Sequence, residues 1–127
     1  MKKSFVVMLI VIMGLSFASM VYAEDKDAIK AQVDEIVAAI DGGKMAEDFA
    51  EAATREPYYV YILEDDGNLL VHPTLAGENL MDKAAPAYDA VVQATPEGAW
   101  VKYMWQEKEK NAYVRKTADG LIVGSGY

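Results

Sequence analysis

A chain of 127 residues with 12 Lys and Arg against 20 Asp and Glu carries a net charge of −8 and has room for one folded core rather than two. So acidic a chain lacks the basic surface that displaces counterions from phosphates, which argues against nucleic acid as a partner and disfavours an anionic membrane surface. Without cysteine it has no disulfide framework, no thiol nucleophile, no Cys-ligated zinc or iron–sulfur site and no Cys-x-x-Cys-His haem attachment.

The amino terminus, MKKSFVVMLIVIMGLSFASMVYA, sets two lysines before an apolar stretch and ends on Val21-Tyr22-Ala23, where a signal peptidase reads small residues. Residues 1–23 are therefore expected to be a secretory signal and 24–127 a single exported domain, periplasmic or secreted; the alternative is an uncleaved amino-terminal anchor. Removing Lys2 and Lys3 leaves ten bases against twenty acids, a net charge of −10. Residues 24–56 read as helical. Ile29, Val33, Ile36, Val37 and Ile40 recur at three and four along one face, Gly42-Gly43 breaks the pattern, and a shorter helix is expected over 44–54. Met45, Phe49 and Ala52 or Ala53 form its expected inward face.

From Tyr58 the period changes to two. YYVYILEDDGNLLVHP predicts a hairpin of strands 58–63 and 69–72, closed by Pro73, which cannot donate to a ladder. Residues 73–98 lack a strand pattern and contain a short helix over 86–94 with Tyr88, Val91 and Val92 inward. Strands over 98–106, 112–116 and 121–127 follow, joined by the polar turns QEKEKN and TADG. The expected fold is α+β: a long and a short helix packed on a five-stranded antiparallel sheet with a helical crossing segment.

In order, DGNLLVHPTLAGENLMD, GAWVKYMWQEKEKNAYVRK and GLIVGSGY resemble the single Cache sensor domains, PAS-like in fold, of bacterial chemoreceptors and histidine kinases. The likeness covers about residues 58–127. It departs at Leu121, where the family carries tryptophan, and by one residue missing between Gly126 and Tyr127. In those receptors a second membrane helix follows the last strand, whereas this chain ends at Tyr127, so a domain free in the periplasm is expected, one that does not itself carry a signal across the membrane.

Alternation along β-type residues places Val101, Tyr103 and Trp105 on one face and Trp100, Lys102 and Met104 on the other, with Tyr113 and Arg115 together on the next strand. If Tyr103, Trp105 and Tyr113 face the crossing segment, they line a small cavity of aromatic walls and hydroxyl donors, with His72, the chain's one histidine, at its lip and Lys110 before the strand of Tyr113. Each of these also has an ordinary structural role: packing for the aromatics, a backbone hydrogen bond for His72, a solvated turn for Lys110, an ion pair for Arg115. One of Tyr58, Tyr59 and Tyr61 is expected to join the cavity, and the pattern does not single one out.

The resemblance implies non-covalent binding of a short organic acid such as acetate, propionate, pyruvate or lactate, with His72 and Lys110 holding the charge, Tyr103 and Tyr113 orienting it and Trp105 walling the cavity. A carboxylate suits such a set of donors and apolar walls. The chain has no G-x-S-x-G elbow, no H-E-x-x-H and no phosphate-cradling glycine loop, and no enzyme activity, cofactor or metal is expected. A membrane receptor or kinase is the expected partner, with a homodimer through the first helix; the alternative function is an exported PAS-like interaction or dimerisation module without a small-molecule ligand.

Overall fold

The computed structural model describes residues 25–127, so the signal segment expected over residues 1–23 lies outside the described residues. Helix α1, Lys26–Asp41, starts where the Asp25 carboxylate accepts a hydrogen bond from the Ala28 amide at 2.9 Å, satisfying one of the donors a helix leaves unpaired at its amino end. It buries Ile29, Val33, Ile36, Val37 and Ile40, the apolar face expected from the spacing. The following segment, Ala46–Thr54, is a 3₁₀ helix rather than an α-helix, and Ala46 is buried where Met45 was expected to be; Met45 is 64% exposed. The shift follows from the cap: Met45 is extended and its amide donates to the Asp48 carboxylate at 3.0 Å, so the first inward position falls one residue later.

The five strands are β1 (Val60–Leu63), β2 (Leu69–Val71), β3 (Ala99–Trp105), β4 (Lys108–Lys116) and β5 (Ile122–Gly126), with order β2-β1-β5-β4-β3 and every pair antiparallel. Between β2 and β3 the chain crosses one face of the sheet in two short helices, α2 (Leu80–Lys83) and α3 (Ala85–Val91), where one was expected. Asn79 caps α2, its side chain accepting from the Met81 amide at 2.8 Å, and Pro86 stands in the first turn of α3, where a missing N–H leaves no gap.

Helix α1 and the 3₁₀ segment cover one face of the sheet, burying Val60, Ile62, Val71 and Val123 beneath them. The crossing helices cover the other, where Leu63, Leu69, Val101, Val114 and Ile122 meet Leu80, Ala87 and Val91. Strand β1 is an interior strand, between β2 and β5, and buried at all four positions, so it reads as a continuous apolar run. The expected α+β architecture, helices packed on a five-stranded antiparallel sheet with a helical crossing segment, is borne out.

Strand β4 differs most from expectation. It begins at Lys108 rather than Ala112, because β3 and β4 join through only Gln106 and Glu107, both at positive φ (49° and 66°), the geometry of the two-residue turn whose twist matches the strands. Its charged residues fit a strand because β4 pairs toward β5 only from Asn111, which exchanges both backbone hydrogen bonds with Tyr127, leaving Lys108 to Lys110 at the hairpin end to project past the sheet.

Among the described residues no helix is long and apolar enough to cross a membrane.

Candidate functional site

Cross-strand partners project to the same face of a sheet, so the register decides what the site contains. Tyr103 pairs with Lys110, Val101 with Ala112 and Trp105 with Lys108, whereas Tyr113 pairs with Trp100. Tyr61 lies opposite Gly124 on the face of Tyr103. A Cβ at Gly124 would stand 2.5 Å from two atoms of the Tyr61 ring, so the glycine's bare backbone is what lets that ring lie across β5.

The result is a small, partly open cavity between the sheet and the crossing helices. Tyr59, Tyr61, Tyr103, His72 and Trp105 supply its aromatic lining, and Leu69, Leu80, Ala87 and Val91 supply its apolar floor. The space open to the centre of a water-sized sphere is about 10 Å³, room for about one water molecule. The Tyr61 and Tyr103 hydroxyls stand 3.3 Å apart at its inner end. Burial pushes both phenols up, Tyr103 to about 12 and Tyr61 well above the usual range, so both keep their protons as donors at neutral pH.

His72 follows β2 at the cavity mouth. Its Nδ1 accepts from the amides of Thr74 and Leu75, each at 3.0 Å, because Pro73 turns the chain back over the ring. An Nδ1 with two N–H groups aimed at it bears no proton, so the neutral ring carries its proton on Nε2. Burial lowers its pKa. His72 thus offers a neutral donor rather than the cation expected beside a carboxylate. Its ring stands 6.2 Å from that of Tyr59 and 5.9 Å from that of Trp105, and together the three rim the mouth.

Of the five residues singled out in the sequence, His72, Tyr103 and Trp105 are brought together in the lining. Lys110 stands outside it: its ammonium sits over the Tyr59 ring, 5.6 Å from the centroid, past the end of β5. Tyr113 is a correction. It projects to the opposite face, where its hydroxyl donates to the Glu97 carbonyl at 3.1 Å and to Asp34 of α1 at 3.3 Å. Lys110 and Tyr113 are three apart in one uninterrupted strand, so they cannot share a face; with β4 taken to begin at Ala112 that parity was hidden. Arg115, on the face of Tyr113, pairs with Asp34 at 3.0 Å and donates to the Pro96 carbonyl at 2.7 Å. Burial alone would raise the Asp34 carboxyl, but hydrogen bonds from Lys30 and Arg115, and their charges, outweigh it and hold it low. This network ties α1 to the sheet, away from the cavity.

The cavity also contains residues that the sequence pattern did not single out. Tyr59 and Tyr61 are the tyrosines of the first strand that reach it, while the Tyr58 hydroxyl accepts from the Asp25 amide beside α1. Their shared parity, opposite to that of the core residues Val60 and Ile62, was the available signal.

No protein-family model matches the chain, and no curated protein matches it. Among solved structures it is similar to the crystal structure of a methyl-accepting chemotaxis protein from Vibrio parahaemolyticus, with 16% sequence identity, a TM-score of 0.58, and coverage of 80% of this chain and 86% of that one. At that identity the likeness is one of fold: the chain shares the fold of that chemotaxis-protein structure.

Proposed function

We propose that this chain is an exported sensor-type domain that binds a small organic acid without changing it and passes that event to a membrane-bound partner. The observation that carries the reading is the convergence of neutral polar groups on one largely apolar space: the Tyr61 and Tyr103 hydroxyls, one of which donates to the other and leaves one O–H free, and the protonated Nε2 of His72. Such donors orient the oxygens of a small acid while Leu69, Leu80 and Val91 hold its carbon tail. Lys110, over the outer ring of Tyr59, supplies the nearby positive charge. The Cache-like motif order and the chemoreceptor-like fold support the same reading.

A ligand that binds only the folded state stabilises it by about 2.7 kcal/mol at a hundredfold excess over Kd. Thermal unfolding of the purified protein with C2 to C6 acids, amino acids and polyamines tests the reading; one short acid should raise Tm by about 10 °C or more. The increase should be lost in both His72→Ala and Tyr103→Phe. One observation favours the second reading, an interaction module without a ligand: the cavity as it stands holds about one water. A folded, ligand-free protein whose Tm no compound moves would establish that reading over the first.

A further inference from the structure

The small cavity does not stand alone. Two open grooves adjoin it: one of about 510 Å³ runs between the Arg55–Pro57 turn and His72–Thr74, and one of about 260 Å³ lies between Leu75, Lys83 and Met104. Trp105 is the one residue that lines all three spaces. Its place is fixed by alternation, which turns it to the face of Tyr103, and by the two-residue turn that follows, which ends β3 there. Its indole, half-buried, stands beside the imidazole of His72, which with Tyr59 also borders both the cavity and the larger groove.

Small-molecule sites commonly enclose about 300–1,000 Å³, far more than this cavity holds and about what the cavity and its grooves offer together. We propose that Trp105 sets the length of ligand this site accepts: its indole is the partition, and removing it joins cavity and grooves into one site that takes a linear monocarboxylic acid several carbons longer. This rests on the reading above that the cavity takes an organic acid. The lining beyond Trp105 suits an extended tail, with Pro73 and the stem of Arg55 in one direction and Met104 and Leu75 in the other. Each methylene that gains burial tightens binding about fourfold, so the partition translates into a chain-length preference.

The test is calorimetric titration of the purified protein and of Trp105→Ala and Trp105→Phe with the linear acids from acetate to octanoate. The unaltered protein should bind the C2 to C4 acids best. Trp105→Ala should reverse the order, binding octanoate at least tenfold more tightly than the unaltered protein does and propionate more weakly, while Trp105→Phe, which restores an aromatic wall, keeps the original order. Should Trp105→Ala fail to fold, Trp105→Leu reads the same reversal, since leucine keeps an apolar side chain on the strand but leaves the partition open. An unchanged order in the Ala or Leu variant, beside measurable binding, overturns this inference and leaves the proposed function standing. No binding of any acid by any of the proteins overturns both.

Discussion

Gly124→Ala is the perturbation whose consequence follows most directly from the geometry. The added Cβ would lie 2.5 Å from Cε2 and Cζ of Tyr61 and 2.6 Å from its hydroxyl oxygen, about 1 Å inside ordinary contact. The backbone at 124 is an ordinary strand conformation, so the clash is steric alone, and Tyr61, 3% exposed, has nowhere to retreat except toward Tyr103 and the cavity. Overpacking of this kind costs about 1–3 kcal/mol, offset by about 0.4–1 kcal/mol because alanine restricts the unfolded chain. The net loss should be about 1–2 kcal/mol, a fall in Tm of about 5–15 °C for a domain of this size, read by thermal and urea unfolding. In a Tyr61→Leu background, which removes the atoms being struck, the same substitution should cost at most about 0.5 kcal/mol. Equal costs in the two backgrounds would refute the claim that Gly124 exists to seat Tyr61.

Three further outcomes are expected. Because burial lowers the His72 pKa below its unfolded value near 6.5, the unfolded chain binds more protons between the two values; stability is full above about pH 6.5 and falls as pH drops through that window, and the fall should be smaller in His72→Gln when urea unfolding is compared at pH 7.5 and 5. Tyr113→Phe removes a donor to Asp34 and the Glu97 carbonyl and should cost about 1 kcal/mol of stability while leaving acid binding within twofold, since the residue faces away from the cavity. Glu107→Gly, at φ 66°, relieves a left-handed conformation and should raise stability by about 1 kcal/mol; a loss of that size in urea unfolding would contradict the strain assigned to the turn.

Much of the fold was legible because its elements are strongly periodic. The α1 face from Ile29 to Ile40 followed from spacing alone, and so did the separation of Tyr103 from Trp100 and Met104 across β3. The site was less legible, because its composition depends on register and strand limits, which local patterns leave open. The run QEKEKN reads as a turn by composition, yet four of its residues, Lys108 to Asn111, continue β4, and the first three form a hairpin end that projects past β5 with Lys108 and Glu109 exposed. That misplacement carried Tyr113 into the expected site and placed Lys110 in a loop. Tyr59 and Tyr61 share a parity that Tyr58 lacks, but which face that parity turns to was fixed only by the pairing of Tyr61 with Gly124. The state of His72 turned on two backbone amides folded back by Pro73, a contact that no residue pattern encodes.

The central claim, that the cavity between sheet and crossing helices is where this chain meets a small acid, is tested most directly by mapping the amide and aromatic NMR resonances that move when a stabilising acid is added. The account predicts changes at Tyr61, His72, Tyr103 and Trp105, with Tyr113, Arg115 and the buried face of α1 unmoved. Shifts centred instead on α1, or on the exposed Trp100 and Met104 of β3, would contradict it.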